Sequence, residues 1–416
     1  MVDTTLPQYI EDEDGERIPI QKRAAERRKH FALTIDLYLL LTVGALLAIG
    51  LMMVWSSTFF IDNNSPYTFF LQQLRSMAFG GVIMFGLRAI DYRFWRRAAL
   101  PLILVIVFLL GMTLTLHTIL GAHRTLFDGR IQPSEPAKIV VVIYMAAWLA
   151  SKQGKLRNLT YGLLPFAVLV GTVAGLVNVE PDLSTAALIL VTSAIMFFLA
   201  GAEWLQMGIT IAVFAALGAF AVTHVDYAQL RFKSWLDVIN DPIHAQATHA
   251  QNVIIAFLNG GLTGVGLGGS YQKFYNLSVP HSDSIFAVVG EELGLVGCAV
   301  IVALFVLFMV RGFRISRNAP DPFGSLLAAG VTTLVMIQAL YNIASMATIV
   351  PLAGVPLPFI SFGGSSLVTM MAGVGLLLSV SRGTVKKPDA PRRILATTFD
   401  FSRRDGRRGV SRVSRR

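Results

Sequence analysis

Charge is what this sequence has least of. Asp, Glu, Lys and Arg make up 14% of its 416 residues, against about 25% in an ordinary soluble domain. That scarcity, beside a hydrophobic fraction of 54%, argues against a soluble globular chain. Cysteine is nearly absent: Cys298 stands alone, which excludes an intramolecular disulfide and leaves the redox compartment open. The histidines show no metal-ligand spacing, with His244 and His249 in one loop and His224 and His281 isolated. No Ser–His–Asp order and no zinc signature occur. A divalent cation such as Mg2+, held by outer carboxylates and lipid phosphates, is the remaining metal option. The first 30 residues contain no apolar h-region, so the first span is expected to serve as the insertion signal. No internal repeat is evident, which weakens a transporter built from inverted repeats.

What the chain does have is apolar runs of about 20 residues, the length that crosses a bilayer as helix. Ten are expected, at 34–56, 68–88, 98–117, 134–151, 159–178, 183–201, 205–223, 284–312, 322–349 and 364–382. The fold class is therefore an all-α polytopic membrane protein: ten transmembrane helices, with a long extracytoplasmic loop, 224–283, between helices 7 and 8. Residues 1–33 form a basic cytoplasmic tail, 34–382 the membrane domain, and 383–416 a basic tail expected to be disordered.

The net charge of +10 reflects topology rather than nucleic acid. All but seven of the 35 Lys and Arg residues fall in 1–30, 88–97, 152–157, 311–317 and 382–416. The positive-inside rule makes that side cytoplasmic, with both termini inside. The seven left over are Arg75, Arg124, Arg130, Lys138, Arg231, Lys233 and Lys273. Charges at membrane depth are expensive, and these seven suit a cationic patch for an anionic lipid headgroup such as a diphosphate.

Several polar clusters stand out against the apolar background. In 121–138, Ser134 is a candidate N-cap, and Glu135 and Lys138 share a helix face. They read either as a neutralising ion pair or as a buried pair beside a catalytic acid. Asp182 opens the sixth span, as its cap or as a cavity-lining carboxylate. The glycines of 260–269 include a formal G-x-G-x-x-G (Gly264, Gly266, Gly269). They lack the strand and βαβ context of a dinucleotide site, and fit backbone approach to the membrane surface, a sugar or a phosphate better. Residues 357–366, ending in Ser365 and Ser366, read as a broken or re-entrant segment, or as a tight packing turn.

The stretch His281-Ser282-Asp283-Ser284, running into the eighth span, is the centre of this pattern. Asp283 can be a helix cap. As a general base it lies at the aqueous interface, where an apolar helix would raise its pKa toward a useful range. Of Glu291 and Glu292, one at most is expected to face a cavity, the other to pair with a neighbouring helix.

These stretches, in order, resemble the SEDS family of bacterial cell-wall polymerases, the FtsW, RodA and SpoVE group. The likeness rests on Gln132-Pro133-Ser134-Glu135 with Lys138, Pro181-Asp182-Leu183, the glycines of 260–268, Asp283 with Ile285-Phe286-Ala287, Gly290-Glu291-Glu292-Leu293-Gly294, and Pro358-Phe359-Ile360-Ser361 with Gly363-Gly364-Ser365-Ser366. It spans about 34–382 and looks closer to the division branch, FtsW, than to the elongation branch, RodA. The resemblance implies an inverting glycosyltransferase that polymerises lipid II into β-1,4 glycan strands on the outer face of the cytoplasmic membrane, at the division septum. Undecaprenyl diphosphate would leave, and a class B penicillin-binding protein and other division proteins would be partners. Asp283 matches the family's essential acid. Arg75, Arg124, Arg130, Lys138 and Lys273 would meet the diphosphate charge, with Glu135, Asp182, Ser365 and Ser366 at the substrate cavity. The chain departs from the family pattern at Thr125, Ser184, Ser282 and Ser284 and across 244–252. A lipid II flippase and a non-catalytic division scaffold remain alternatives.

Overall fold

Helix occupies every stretch where an apolar run predicted a span. In a computed structural model of the chain, the described residues are 9–11, 17–19, 36–59, 67–120, 132–152, 156–158, 162–180, 182–240, 248–275, 277, 279–352 and 354–383. The ten predicted spans correspond to α1 (Leu37–Thr58), α2 (Thr68–Ala89), α3 (Tyr92–Leu120), α4 (Ser134–Ser151), α5 (Leu164–Val179), α6 (Leu183–Leu199), α7 (Trp204–His224), α11 (Ile285–Asn318), α12 (Pro322–Met346) and α13 (Gly364–Gly383). Seven of the helices are long and apolar enough to cross a membrane. Helices α5 and α6 are shorter apolar helices. The described residues belong to the unit Met1–Thr384; Val385–Arg416, with the predicted disordered tail, lies outside them. One feature departs from an all-α chain. Tyr9–Glu11 (β1) and Arg17–Pro19 (β2) pair as a short antiparallel ladder within the N-terminal tail.

Burial sorts the helices by depth in the bundle. Helices α12 and α13 each have 78% of their apolar window buried, whereas α7 has 17%. The exposed side chains of α7, among them Leu205, Ile209, Val213, Leu217 and Phe220, form a hydrocarbon surface of the kind that faces lipid. Polar side chains fix the helix starts. Asp36 accepts from Leu39 N at 3.0 Å and also receives Arg311 Nη2 at 2.6 Å. Asp321 accepts from Gly324 N at 2.9 Å, with Pro322 as the first helical residue of α12. Each carboxylate satisfies amides that the helix itself leaves unpaired.

The long loop expected at 224–283 is largely structured. It holds α8 (Asp226–Asn240), α9 (Thr248–Gly260) and the single turn α10 (Gln272–Tyr275). Of the glycines before α10, Gly260 and Gly264 pack directly on protein backbone, whereas a Cβ at Gly261, Gly266 or Gly268 would meet nothing within 4 Å. Helix α11 is broken at Gly294, where φ is 66° and ψ is −167°, a region essentially reserved for glycine. The carbonyls of Glu291 and Glu292 accept from Val265 N and Gly266 N, both at 3.0 Å. Across the break, Leu295 N and Val296 N donate to Gly261 O at 3.0 Å and Leu262 O at 3.2 Å. The loop thus supplies hydrogen bonds that the broken helix cannot make, which irregular backbone at membrane depth requires. A Cβ at Gly264 would lie 2.1 Å from Glu292 O, so the fit needs glycine there.

Candidate active site

Asp283 is not a helix cap: Ser284 holds the N-cap position of α11. Three consecutive carbonyls around it are pinned from two directions. Phe362 N donates to His281 O at 2.9 Å. Ser361 Oγ donates to Ser282 O at 2.7 Å, and Asn342 Nδ2 donates to Asp283 O at 2.9 Å. The segment that does this is itself fixed, because Ser361 Oγ accepts from Leu357 N at 2.7 Å and Asn342 Nδ2 also reaches Val355 O at 2.7 Å. Two residues here, Val279 (φ 47°) and Phe359 (φ 66°), take left-handed backbone. For side chains of that size it is strained and persists only where surrounding contacts impose it.

The Asp283 carboxylate accepts from Ser282 Oγ at 3.1 Å. Burial pushes its pKa above the ordinary carboxylate value; the Ser282 bond and the Arg231 guanidinium pull it back, while Asp182 and Glu135 push it up. Three charged side chains from separate parts of the sequence, Arg231, Asp182 and Glu135, therefore act on Asp283. Arg231 comes from α8, which is anchored by Trp235, one turn on, whose Nε1 donates to Thr348 O at 2.9 Å. Asp182 caps α6 through Thr185 N at 3.1 Å and also accepts from Gln132 Nε2 at 3.2 Å and Ser134 Oγ at 3.4 Å. It is both the expected cap and a neighbour of Asp283. Ser134, expected as an N-cap, is instead the first helical residue of α4, with Pro133 in the cap position.

Glu135 and Lys138 form the predicted pair, buried, at 2.9 Å. Their contact is ionic; Lys138 Nζ makes its directed hydrogen bond to Gln338 Oε1 at 2.9 Å. Gln338 passes the connection on, its Nε2 donating to Pro356 O at 2.9 Å. Gln338 and Asn342 are one helical turn apart on α12, so one face of that helix supports both the ion pair and the Asp283 backbone. His249, on α9, lies 3.3 Å from Ser284 Oγ. Burial first, and then Arg231, lower the pKa of its imidazole. His281 packs between Phe69 and Phe362, with ring centroids at 5.0 and 5.5 Å, and burial lowers its pKa too.

A family model described as cell cycle protein, for FtsW, RodA and SpoVE, matches residues 37–386. The chain belongs to the FtsW/RodA/SpoVE family. It is 37% identical over 358 residues to the probable peptidoglycan glycosyltransferase FtsW of Geobacter metallireducens, covering 83% of this chain and 94% of that protein. It is 35% identical over 362 residues to the stage V sporulation protein E of Bacillus subtilis, covering 83% and 97%. Among solved structures, a chain of a peptidoglycan synthase complex that coordinates polymerization and crosslinking matches with TM-score 0.68 and 25% identity, over 85% of this chain and all of that one. The rod shape determining protein RodA of Thermus thermophilus shares the fold, with TM-score 0.63 at 24% identity, over 86% of this chain and 99% of that one.

Within this family member, the residues expected at the substrate cavity divide. Asp283, Glu135, Lys138 and Asp182 come together. Lys273 is committed elsewhere: its ammonium is buried against Glu292 Oε1 at 2.6 Å, with Gly268 O at 3.0 Å and Ser56 O at 3.1 Å. Glu292 also accepts from Ser56 Oγ at 2.6 Å. Glu291 accepts from Ser270 Oγ, from Asn259 Nδ2 and from the amides of Tyr271 and Gln272, each of the last three at 3.2 Å. Both glutamates fasten the loop to α11, in line with the expectation that one at most faces a cavity. Arg75 is exposed on α2. In the first turn of α13, Ser366 is buried and Ser365 half-buried. Arg124, Arg130 and Thr125 lie outside the described residues.

No group of three or more His, Cys, Asp or Glu side chains among the described residues is spaced to hold a metal ion. The carboxylates at the site are engaged with amides, hydroxyls and an ammonium. Sequence reasoning placed Arg231 only among seven basic residues suited to a diphosphate patch and gave Gln338 and Asn342 no role. Arg231 had a signal, as a basic residue that topology left unexplained. Gln338 and Asn342 had one as well: two amides a turn apart inside an otherwise apolar run.

Proposed function

We infer that this chain is a peptidoglycan glycosyltransferase of the bacterial cytoplasmic membrane that polymerises lipid II into β-1,4 glycan strands. The observation that carries the reading is Asp283, a largely buried carboxylate held by three pinned carbonyls, with a cation from the outer loop beside it. The 4-hydroxyl of the acceptor GlcNAc attacks the anomeric carbon of the donor MurNAc. The new C–O bond forms as the bond to diphosphate breaks, with inversion, and undecaprenyl diphosphate leaves. The hydroxyl proton passes to Asp283 as general base, a step worth about 10²–10⁴-fold. The Glu135–Lys138 pair and Asp182 set the field in which Asp283 titrates. The surrounding architecture is ten transmembrane helices with both termini cytoplasmic and the loop 224–283 outside. A class B penicillin-binding protein is the partner that crosslinks the product, and the division septum is the place.

The test is polymerisation of lipid II by the purified protein, with and without that partner. Asp283→Asn is expected to abolish polymer while leaving folding and partner binding intact. Wild-type polymerisation by Asp283→Asn would remove the assignment. Movement of lipid II between liposome leaflets without polymer would favour a flippase, and normal division of cells carrying only Asp283→Asn a scaffold.

A further inference from the structure

One glycine stands at the mouth of this site without a backbone reason to be glycine. Gly354 precedes the buried turn 355–361 and is itself exposed. Its φ lies outside the left-handed range, so any L-residue could adopt its conformation. A Cβ built there would meet two atoms within 4 Å: Asp283 Oδ2 at 3.2 Å and Arg231 Nη2 at 3.5 Å. The carboxylate and the guanidinium thus flank a single open gap, and residue 354 is its floor.

Both walls of the gap are fixed independently. Asn342 Nδ2 holds Asp283 O and Val355 O together, so the carboxylate and the floor share one anchor. The Trp235–Thr348 bond holds α8, and with it Arg231, against the end of α12. Gly354, at its floor, is exposed. The chemistry of the gap is specific: a carboxylate accepts a proton from a hydroxyl, and a guanidinium pairs with phosphate oxygens.

We propose that the gap over Gly354 seats the reacting ends of both substrates, the acceptor hydroxyl against Asp283 and the donor diphosphate against Arg231, and that residue 354 is glycine because any side chain would fill that space. This rests on the glycosyltransferase reading. Arg231 is then a substrate-contacting residue, stabilising charge as it develops on the departing diphosphate. Gly354 is a positioning residue, acting through the space it leaves. Near-attack geometry needs reacting atoms about 3–3.5 Å apart, and a misplacement of about 1 Å costs on the order of 10²-fold.

The experiment uses the full-length protein with its penicillin-binding partner and lipid II as probe. Gly354→Ala and Gly354→Val form a graded series, and Arg231→Lys and Arg231→Gln a second. We expect kcat/KM to fall about tenfold for the alanine and about a hundredfold or more for the valine, with thermal melting and partner binding unchanged. Arg231→Gln should lose about 10²–10³-fold in kcat, with Arg231→Lys retaining part of the rate. Wild-type kcat/KM in well-folded Gly354→Ala and Arg231→Gln overturns the proposal. So does an alanine defect that tracks a lowered melting temperature, because that is a packing effect. If the wild-type protein with its partner makes no polymer from lipid II, the glycosyltransferase reading fails; if Asp283→Asn polymerises at the wild-type rate, the assignment of Asp283 as general base fails. If Asp283→Asn is inactive while the Gly354 and Arg231 variants keep wild-type rates, only the gap fails.

Discussion

Replacing Lys273 separates the diphosphate-binding role expected from the sequence from the ion-pairing role that the structure gives it. A lysine on the outer side suits a diphosphate-binding cation, yet the structure buries its ammonium against Glu292. Removing the cation by Lys273→Met leaves the Glu292 carboxylate buried and uncompensated, with Ser56 Oγ as its remaining donor among the contacts described. Breaking a buried pair by deleting one partner typically costs about 3–5 kcal/mol, whereas replacing both partners with apolar groups is often near neutral. Carbonyls of Ser56 and Gly268 also lose their donor, adding about 1–3 kcal/mol for each one left unsatisfied. The expected result is a large loss of stability for Lys273→Met, and recovery of most of it in Lys273→Met with Glu292→Met. Equilibrium unfolding in detergent would measure both, alongside lipid II polymerisation at a temperature where the variants are folded. A folded Lys273→Met with unchanged stability and a collapsed kcat would refute this reasoning and return Lys273 to the substrate. So would a double variant no more stable than the single.

Further outcomes follow from the same geometry. Because burial raises the pKa of Asp283 and a general base works only when ionised, polymerisation should fall with acidification at a pH above the ordinary carboxylate range. Arg231→Gln removes a lowering influence and should move that acid limb upward; Asp182, Glu135 and His249 are the other titratable groups involved, and a pH–rate profile checks the sign. Gly294→Ala should destabilise the fold by at least about 1–3 kcal/mol, since its Cβ would also lie 2.4 Å from Gly264 N; thermal unfolding reads it. Trp235→Phe deletes one hydrogen bond, worth about 0.5–1.5 kcal/mol. It should raise amide exchange across 226–240 while exchange in α12 stays at the wild-type rate.

Much of the fold was legible because hydropathy is a local property. Each apolar run became a helix, since a backbone in hydrocarbon must satisfy its own amides. Boundaries moved by a few residues. The eighth run extended to Asn318, continuing past its apolar part into the basic turn that holds Arg311 and Arg317. The candidate acid was legible too, because Asp283 stands alone beside an apolar helix. Partnerships were not. Glu291 and Glu292 were expected to divide, one at most facing a cavity, because nothing local says that both meet the glycine loop before α10.

The sequence by itself determined the membrane character, the helices, the expected cytoplasmic side and the carboxylate that stands at the centre of the site. Those follow from composition and from where the positive charges lie. Only the tertiary structure decided which charges meet. Ser56 reaches Glu292 across 236 positions, and Asn342 reaches the Asp283 carbonyl across 59. A buried charge must find its partner wherever folding brings one, so Lys273 turned inward to Glu292, while Arg231, on α8, came to stand beside Asp283.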